Sequence, residues 1–212
     1  MSPEIIIFSI AWLAYYAMHS WLASHHFKLN FANRFSNLFP HYRLLYNFLS
    51  VLLLLIPLSL LFFHPWDTLW RWQGNMYFLM NGLGLLSIIG FLLSLRYYDS
   101  AAFIGLRPNT DGHIGSVDEP LVISPMHRFV RHPWYFLGLL FIWSRDMNMG
   151  WLITCTWATL YMLLGSRLEE RKLIAEYGES YGRYCSKVPG LIPQPWRYLT
   201  KKEANQLTQL KD

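Results

Sequence analysis

The chain is poor in charge. Only 15% of its residues are Asp, Glu, Lys or Arg, where a soluble domain carries about 25%. It has two cysteines, Cys155 and Cys185, in different parts of the sequence. That pair supplies neither a disulfide framework nor a Cys-x-x-Cys metal pattern. Its eight histidines show no ligand spacing: His25 and His26 are adjacent and point to different faces of a helix. No metal site is expected. There is no internal repeat and no long low-complexity run, so the 212 residues are read as one integral membrane domain. Within it, 1–95 carry the N-terminal spans, 96–195 a core and 196–212 a polar tail.

Long apolar runs take the place of charge. Hydrophobic residues make up 53% and mean hydropathy is +0.20. Three stretches near Glu4–Ala23, Leu44–Phe63 and Met76–Leu95 reach the roughly twenty residues that a span requires. The first has no basic leading segment and no small-residue cleavage site, so it reads as a retained helix and not as a signal peptide. A fourth apolar region, 134–165, is broken by Ser144–Gly150 into arms Trp134–Trp143 and Trp151–Gly165, a helical hairpin. The expected fold is therefore all-α: a polytopic membrane bundle of about five transmembrane helices, followed by an amphipathic cytoplasmic helix.

Basic residues set the expected orientation. Sixteen of the 18 Lys and Arg fall on one side of this topology, against Arg71 and Arg145 on the other. The positive-inside rule then places the N-terminus outside and the C-terminus in the cytoplasm. The net charge of +5 faces lipid headgroups, and no nucleic-acid partner is needed to account for it. Membrane lipids are the expected surroundings.

Two polar blocks flank the hairpin. The first is Arg131-His132-Pro133-Trp134-Tyr135. Pro133 suits a first helical turn, which leaves free N–H groups and a positive dipole end beside Arg131 and His132. Such a corner suits a carboxylate, and the aromatic rings suit an adenine. The same residues also suit a membrane-interface anchor. His127, three residues after Ser124, adds a polar group to the approach. The segment 107–125 that leads there is a polar connector rich in Pro and Gly.

The second block contains Glu169-Glu170-Arg171-Lys172, then Ile174, Tyr177, Tyr181, Tyr184 and Val188 at helical spacing. Glu170 heads that face, while Glu169 is rotated by about 100° from it. A carboxylate on an apolar face needs a partner, for which Arg131 or Arg167 is available. A surface salt-bridge cluster is the plainer reading. Gly178 and Gly182 weaken the helix, and either a close backbone approach or a break there would account for them.

Taken together, Arg131-His132-Pro133-Trp134-Tyr135, Glu169-Glu170, Gly178-Glu179-Ser180-Tyr181-Gly182-Arg183-Tyr184 and Val188-Pro189 resemble the isoprenylcysteine carboxyl methyltransferase family over about residues 100–195. Phe103-Ile104-Gly105-Leu106-Arg107 and Val188–Pro193 look most like its bacterial small-thiol branch. The resemblance implies an enzyme that uses S-adenosyl-L-methionine and methylates a small or lipophilic acceptor, a thiol or a carboxylate. It implies a cofactor pocket drawing on Leu121, Val122, Ser124, His127, His132, Pro133, Tyr135, Tyr181 and Tyr184, with Glu169, Glu170, Arg131 and Arg171 around the chemistry. Two places depart from the family pattern. His127 stands where an aromatic is usual, and Leu137 stands where a glycine is usual, Gly138 coming one residue later.

Polar residues within spans are candidate functional groups. His19, Ser20, Arg43, Tyr46 and Asn47 are therefore candidates for the acceptor site, with helix–helix hydrogen bonding the equal alternative for His19, Ser20 and Asn47. The competing function is a non-enzymatic relative of the same fold, an assembly or transport factor linked to nitrogen-oxide metabolism. The intact Arg-His-Pro and paired glutamates argue against it.

Overall fold

The computed structural model describes residues 2–107 and 123–209. Among these described residues, three helical segments are long and apolar enough to cross a membrane: Pro3–Ala23, Phe39–Phe63 and Gly74–Tyr97. They match the three N-terminal stretches expected from hydropathy. The chain divides into two compact units, one from Met1–Arg71, Tyr98–Asp118 and Met147–Trp157, the other from Trp72–Tyr97, Glu119–Asp146 and Ala158–Asp212.

The first unit holds α1 (Pro3–Ala23), α2 (His25–Arg34), α3 (Tyr42–Phe63) and the short α5 (Ser100–Ile104). Ser24 ends α1 and caps α2, its Oγ accepting from Phe27 N at 3.2 Å. Phe8, Trp12 and Leu61 are buried together between α1 and α3. Trp12 Nε1 donates to Thr154 Oγ1 at 3.1 Å, which satisfies both polar groups away from water. A two-stranded ribbon, β1 (Thr68–Trp70) with β2 (Met147–Asn148), adds a small element to an otherwise helical fold. The next helix begins tight against Trp66, which precedes β1: a Cβ on Gly150 would lie 2.5 Å from the Trp66 ring.

The second unit holds α4 (Gly74–Ser94), α6 (Pro133–Trp143), most of α7 (Met149–Lys187) and α8 (Lys201–Gln209). α4 and α6 run antiparallel. Trp134 Nε1 donates to Ser94 Oγ at 2.7 Å, Gly90 faces Leu137, and Gly84 faces Arg145 just past the other end of α6. α6 and α7 form the expected hairpin, with Trp143 Nε1 donating to Thr159 Oγ1 at 3.0 Å and Gly138 facing Met162. With 11 residues, α6 is about 16 Å long, near half of the roughly 30 Å hydrocarbon core.

α7 continues from the hairpin through the charged block as one 39-residue helix, interrupted at Gly178 (φ 53°, ψ −130°). That conformation is open to glycine and strained for other residues. Most of the expected stripe survives the interruption. Beyond it Tyr181, Tyr184 and Val188 are buried with Leu199, Ala204 and Leu207. Before it Leu173 and Tyr177 pack on this cluster, while Ile174 is 46% exposed. Of the expected stripe, Tyr177, Tyr181, Tyr184 and Val188 therefore meet in one cluster, and Ile174 falls outside it.

Candidate active site

Arg131 sits two residues before α6, where Pro133 fixes the helix start. Its guanidinium is fully engaged. Nε donates to Glu170 Oε1 at 2.8 Å and Nη2 to Glu170 Oε2 at 3.0 Å, a bidentate pair in which Arg131 keeps only 12% side-chain exposure. Nη1 donates to the carbonyls of Cys185 (2.9 Å) and Val188. The backbone follows the same path: Arg131 N donates to Pro189 O at 2.9 Å and His132 N to Gly190 O at 3.1 Å. Arg-His-Pro and Val-Pro-Gly are thus two sides of one clasp, closed by Glu170.

His132 is buried and lies between the two carboxylates. Nε2 is 2.9 Å from Glu170 Oε1, and Nδ1 is 3.5 Å from Glu169 Oε2. Its ring stacks on Tyr135, centroids 5.3 Å apart and planes 11° apart. The two glutamates therefore differ in kind. Glu170 is half-buried with both oxygens bound, whereas Glu169 is 51% exposed. Burial pushes the Glu170 carboxyl up, but the hydrogen bonds from His132 and Arg131 outweigh it and hold the pKa at about 2. Burial opposes the Arg131 charge, and the bond to Glu170 more than restores it.

Beside this cluster Ser124 Oγ is 2.7 Å from His127 Nδ1. Burial, reinforced by nearby His132, brings the His127 pKa down to about 4, so its imidazole is neutral at physiological pH. Tyr184 Oη donates to the His127 carbonyl at 2.6 Å, and Tyr181 meets Tyr184 edge to face at 5.5 Å. Burial also raises the Tyr181 hydroxyl pKa, keeping it protonated.

The structure thus brings together Ser124, His127, Arg131, His132, Pro133, Tyr135, Glu169, Glu170, Tyr181 and Tyr184 in one unit. Arg171 is exposed. Leu121 and Val122 lie outside the described residues. The candidates from the N-terminal spans belong to the other unit. There His19 Nδ1 is 3.1 Å from Ser50 Oγ and Nε2 is 2.8 Å from Tyr46 Oη. Arg43 donates to Ala102 O, and Asn47 donates to Phe103 O and Ile104 O, so these two close the C-terminal carbonyls of α5. Ser20 is exposed.

Two parts of the site escaped sequence reasoning. One is the Pro189-Gly190 backbone, whose carbonyls are recruited across more than fifty residues with no local signal. The other is Ser180, a buried hydroxyl whose Oγ has no hydrogen-bond partner among the described residues. Among the described residues there is no group of His, Cys, Asp or Glu that could hold a metal.

Comparison with known proteins finds methyltransferases among the relatives of this chain. Methanethiol S-methyltransferase 1 of Bradyrhizobium diazoefficiens is 30% identical over 209 residues, 92% of this chain and 69% of the relative. Methanethiol S-methyltransferase of Pseudomonas deceptionensis is 34% identical over 115 residues, 53% of this chain and 42% of the relative. Protein-S-isoprenylcysteine O-methyltransferase of Schizosaccharomyces pombe is 31% identical over 116 residues, 50% of this chain and 48% of the relative. For several of these relatives, the match spans about half of their length or less. No family model matches the chain. No solved structure matches it.

Proposed function

Because the chain belongs to the isoprenylcysteine carboxyl methyltransferase-like family of membrane methyltransferases, we propose that it transfers a methyl group from S-adenosyl-L-methionine to a small thiol at the cytoplasmic face of a bacterial inner membrane. One observation carries the reading: two carboxylates of opposite character held on either side of one buried imidazole.

The residues present fit the cofactor. Next to Tyr181, the buried Ser180 Oγ has no partner among the described residues, and a buried hydroxyl left so is costly without a ligand. The Tyr135 and Tyr181 rings suit an adenine, the Ser124 and His132 side chains suit its polar atoms, and the exposed Glu169 suits a cation. When bound, S-adenosyl-L-methionine supplies a methyl group already activated on a sulfonium, so no metal is called for.

The chain's own groups then have two tasks. Glu170, locked by Arg131 and His132, fixes the imidazole and the clasp; it is a positioning carboxylate. Glu169, half exposed on the other side of the same imidazole, takes the proton of the incoming thiol and leaves the sulfur lone pair ready for bond formation. Fixed alignment and exclusion of water supply the remainder of the rate. The relatives' names favour a thiol over a carboxylate acceptor. The asymmetry of basic residues supports an N-terminus outside and a C-terminus in the cytoplasm.

The test is transfer of isotope-labelled methyl from S-adenosyl-L-methionine by the purified protein in proteoliposomes. Methanethiol and an isoprenylcysteine analogue are offered separately. Label in the volatile thioether supports the thiol reading; label only in the isoprenylcysteine ester moves the acceptor, and label in neither rejects both.

A further inference from the structure

Beyond Gly190 the chain forms a finger before α8 begins. Arg197 N donates to Gln194 O at 3.0 Å, closing the turn Gln194-Pro195-Trp196-Arg197. Pro193 and Pro195 restrict the backbone on both sides of Gln194. Arginines fasten the finger at its base. Arg197 Nη2 donates to Ser186 O at 2.9 Å, and Arg128 Nε donates to Leu199 O at 2.9 Å while Leu199 N returns a bond to Arg128 O. Its near end is held by the His132 bond to Gly190.

A loop so fastened presents apolar groups outward. Trp196 is 77% exposed and Ile192 70%, with Phe129 and Tyr198 stacked at 5.9 Å and each 48% exposed. From Gly190 to Lys202 there are three basic residues and no acidic one. Rigidly displayed Trp and Tyr beside Arg and Lys is the composition of a membrane–water interface. The level is right as well. The clasp that holds the finger sits at the N-terminus of α6, which meets the C-terminal end of span α4 through Trp134 and Ser94. A tip of so few residues is far too small for a stable protein interface of about 800 Å² per partner.

We propose that this finger inserts Trp196 and Ile192 into the headgroup layer of the bilayer that the same chain spans, with Arg197, Lys201 and Lys202 meeting anionic lipid. The proposal stands independently of the methyl acceptor.

The test places a nitroxide on single cysteines in the full-length protein, in a Cys155→Ala, Cys185→Ala background. The protein is reconstituted in vesicles of phosphatidylcholine and phosphatidylglycerol. Trp196→Cys is compared with Val51→Cys, exposed near the middle of span α3, and with Gln206→Cys on the exposed face of α8. Collision rates with oxygen and with a water-soluble nickel chelate report depth. The expected result is a Trp196→Cys label between the two references, oxygen exceeding nickel. A label as open to nickel as Gln206→Cys overturns the proposal. So does one shielded from both reagents with dipolar broadening, which marks a second copy of the chain. Ile192→Cys gives the same reading should Trp196→Cys fail to fold.

Discussion

Arg131 and Glu170, 39 residues apart in sequence, share a two-point ion pair whose third arm grips the carbonyls of Cys185 and Val188. Removing the Glu170 charge leaves a guanidinium short of its partner in a confined place. Glu170→Gln is expected to lower unfolding free energy by about 1–3 kcal/mol. Glu169→Gln, at an exposed position, is expected to stay within about 0.5 kcal/mol of wild type while cutting methyl transfer by about 10²–10⁴-fold. Thermal melts in detergent beside initial rates separate the two glutamates.

His127 gives the fold an acid-sensitive window. Its pKa is about 4 in the folded chain against an ordinary 6.5, so the unfolded chain binds the proton more readily between those values. Its contribution is complete above pH 6.5 and is lost as pH falls toward 4. Glu170, with a pKa of about 2, acts in the same direction but below pH 4.5. Melting temperature is expected to fall between pH 7 and pH 5, and His127→Gln is expected to flatten that fall. An equal slope in both proteins contradicts the assignment.

Gly178 and Gly182 separate two uses of glycine in one helix. Gly178 holds φ 53°, ψ −130°, and Gly178→Ala is expected to cost about 1–3 kcal/mol. Gly182 has nothing within 4 Å of an added Cβ. Gly182→Ala is expected to be neutral or to stabilise by up to about 1 kcal/mol. Chemical denaturation in mixed micelles measures both.

Gly84 exists to admit Arg145. A Cβ there would lie 2.0 Å from Arg145 Nη2, which donates to Met80 O and Ser144 Oγ while Nη1 reaches Asn81 Oδ1. Gly84→Ala and Arg145→Ala are each expected to destabilise the hairpin. The double variant is expected to cost less than the sum, because both remove the same contact. Additive melting shifts contradict the coupling.

Much of this was legible beforehand. Apolar runs of span length located α1, α3 and α4, since hydrocarbon demands continuous apolar helices whatever the tertiary packing. The break at Ser144–Gly150 marked the hairpin because Asp146, Asn148 and Gly150 oppose a continuous helix. Glu170 on an apolar helix face called for a partner, Arg131 or Arg167, and Arg131 is that partner. Other features lie beyond local pattern. Nothing near Pro189 or Gly190 announces that their carbonyls receive the Arg131 and His132 amides, for that bond is a tertiary product. Periodicity placed the tyrosines together correctly but also put Ile174 on their face, and it lies exposed ahead of the break at Gly178. Arg43 and Asn47 read as polar span residues, yet their donors close α5, whose C-terminal carbonyls only the folded chain brings near.

The most direct measurement is titration of S-adenosyl-L-methionine into the purified, folded protein by calorimetry, with His132→Ala in parallel. The account predicts one site per chain for wild type and at least a tenfold weakening for the variant. No binding at millimolar cofactor by a wild-type protein that melts cooperatively would contradict it.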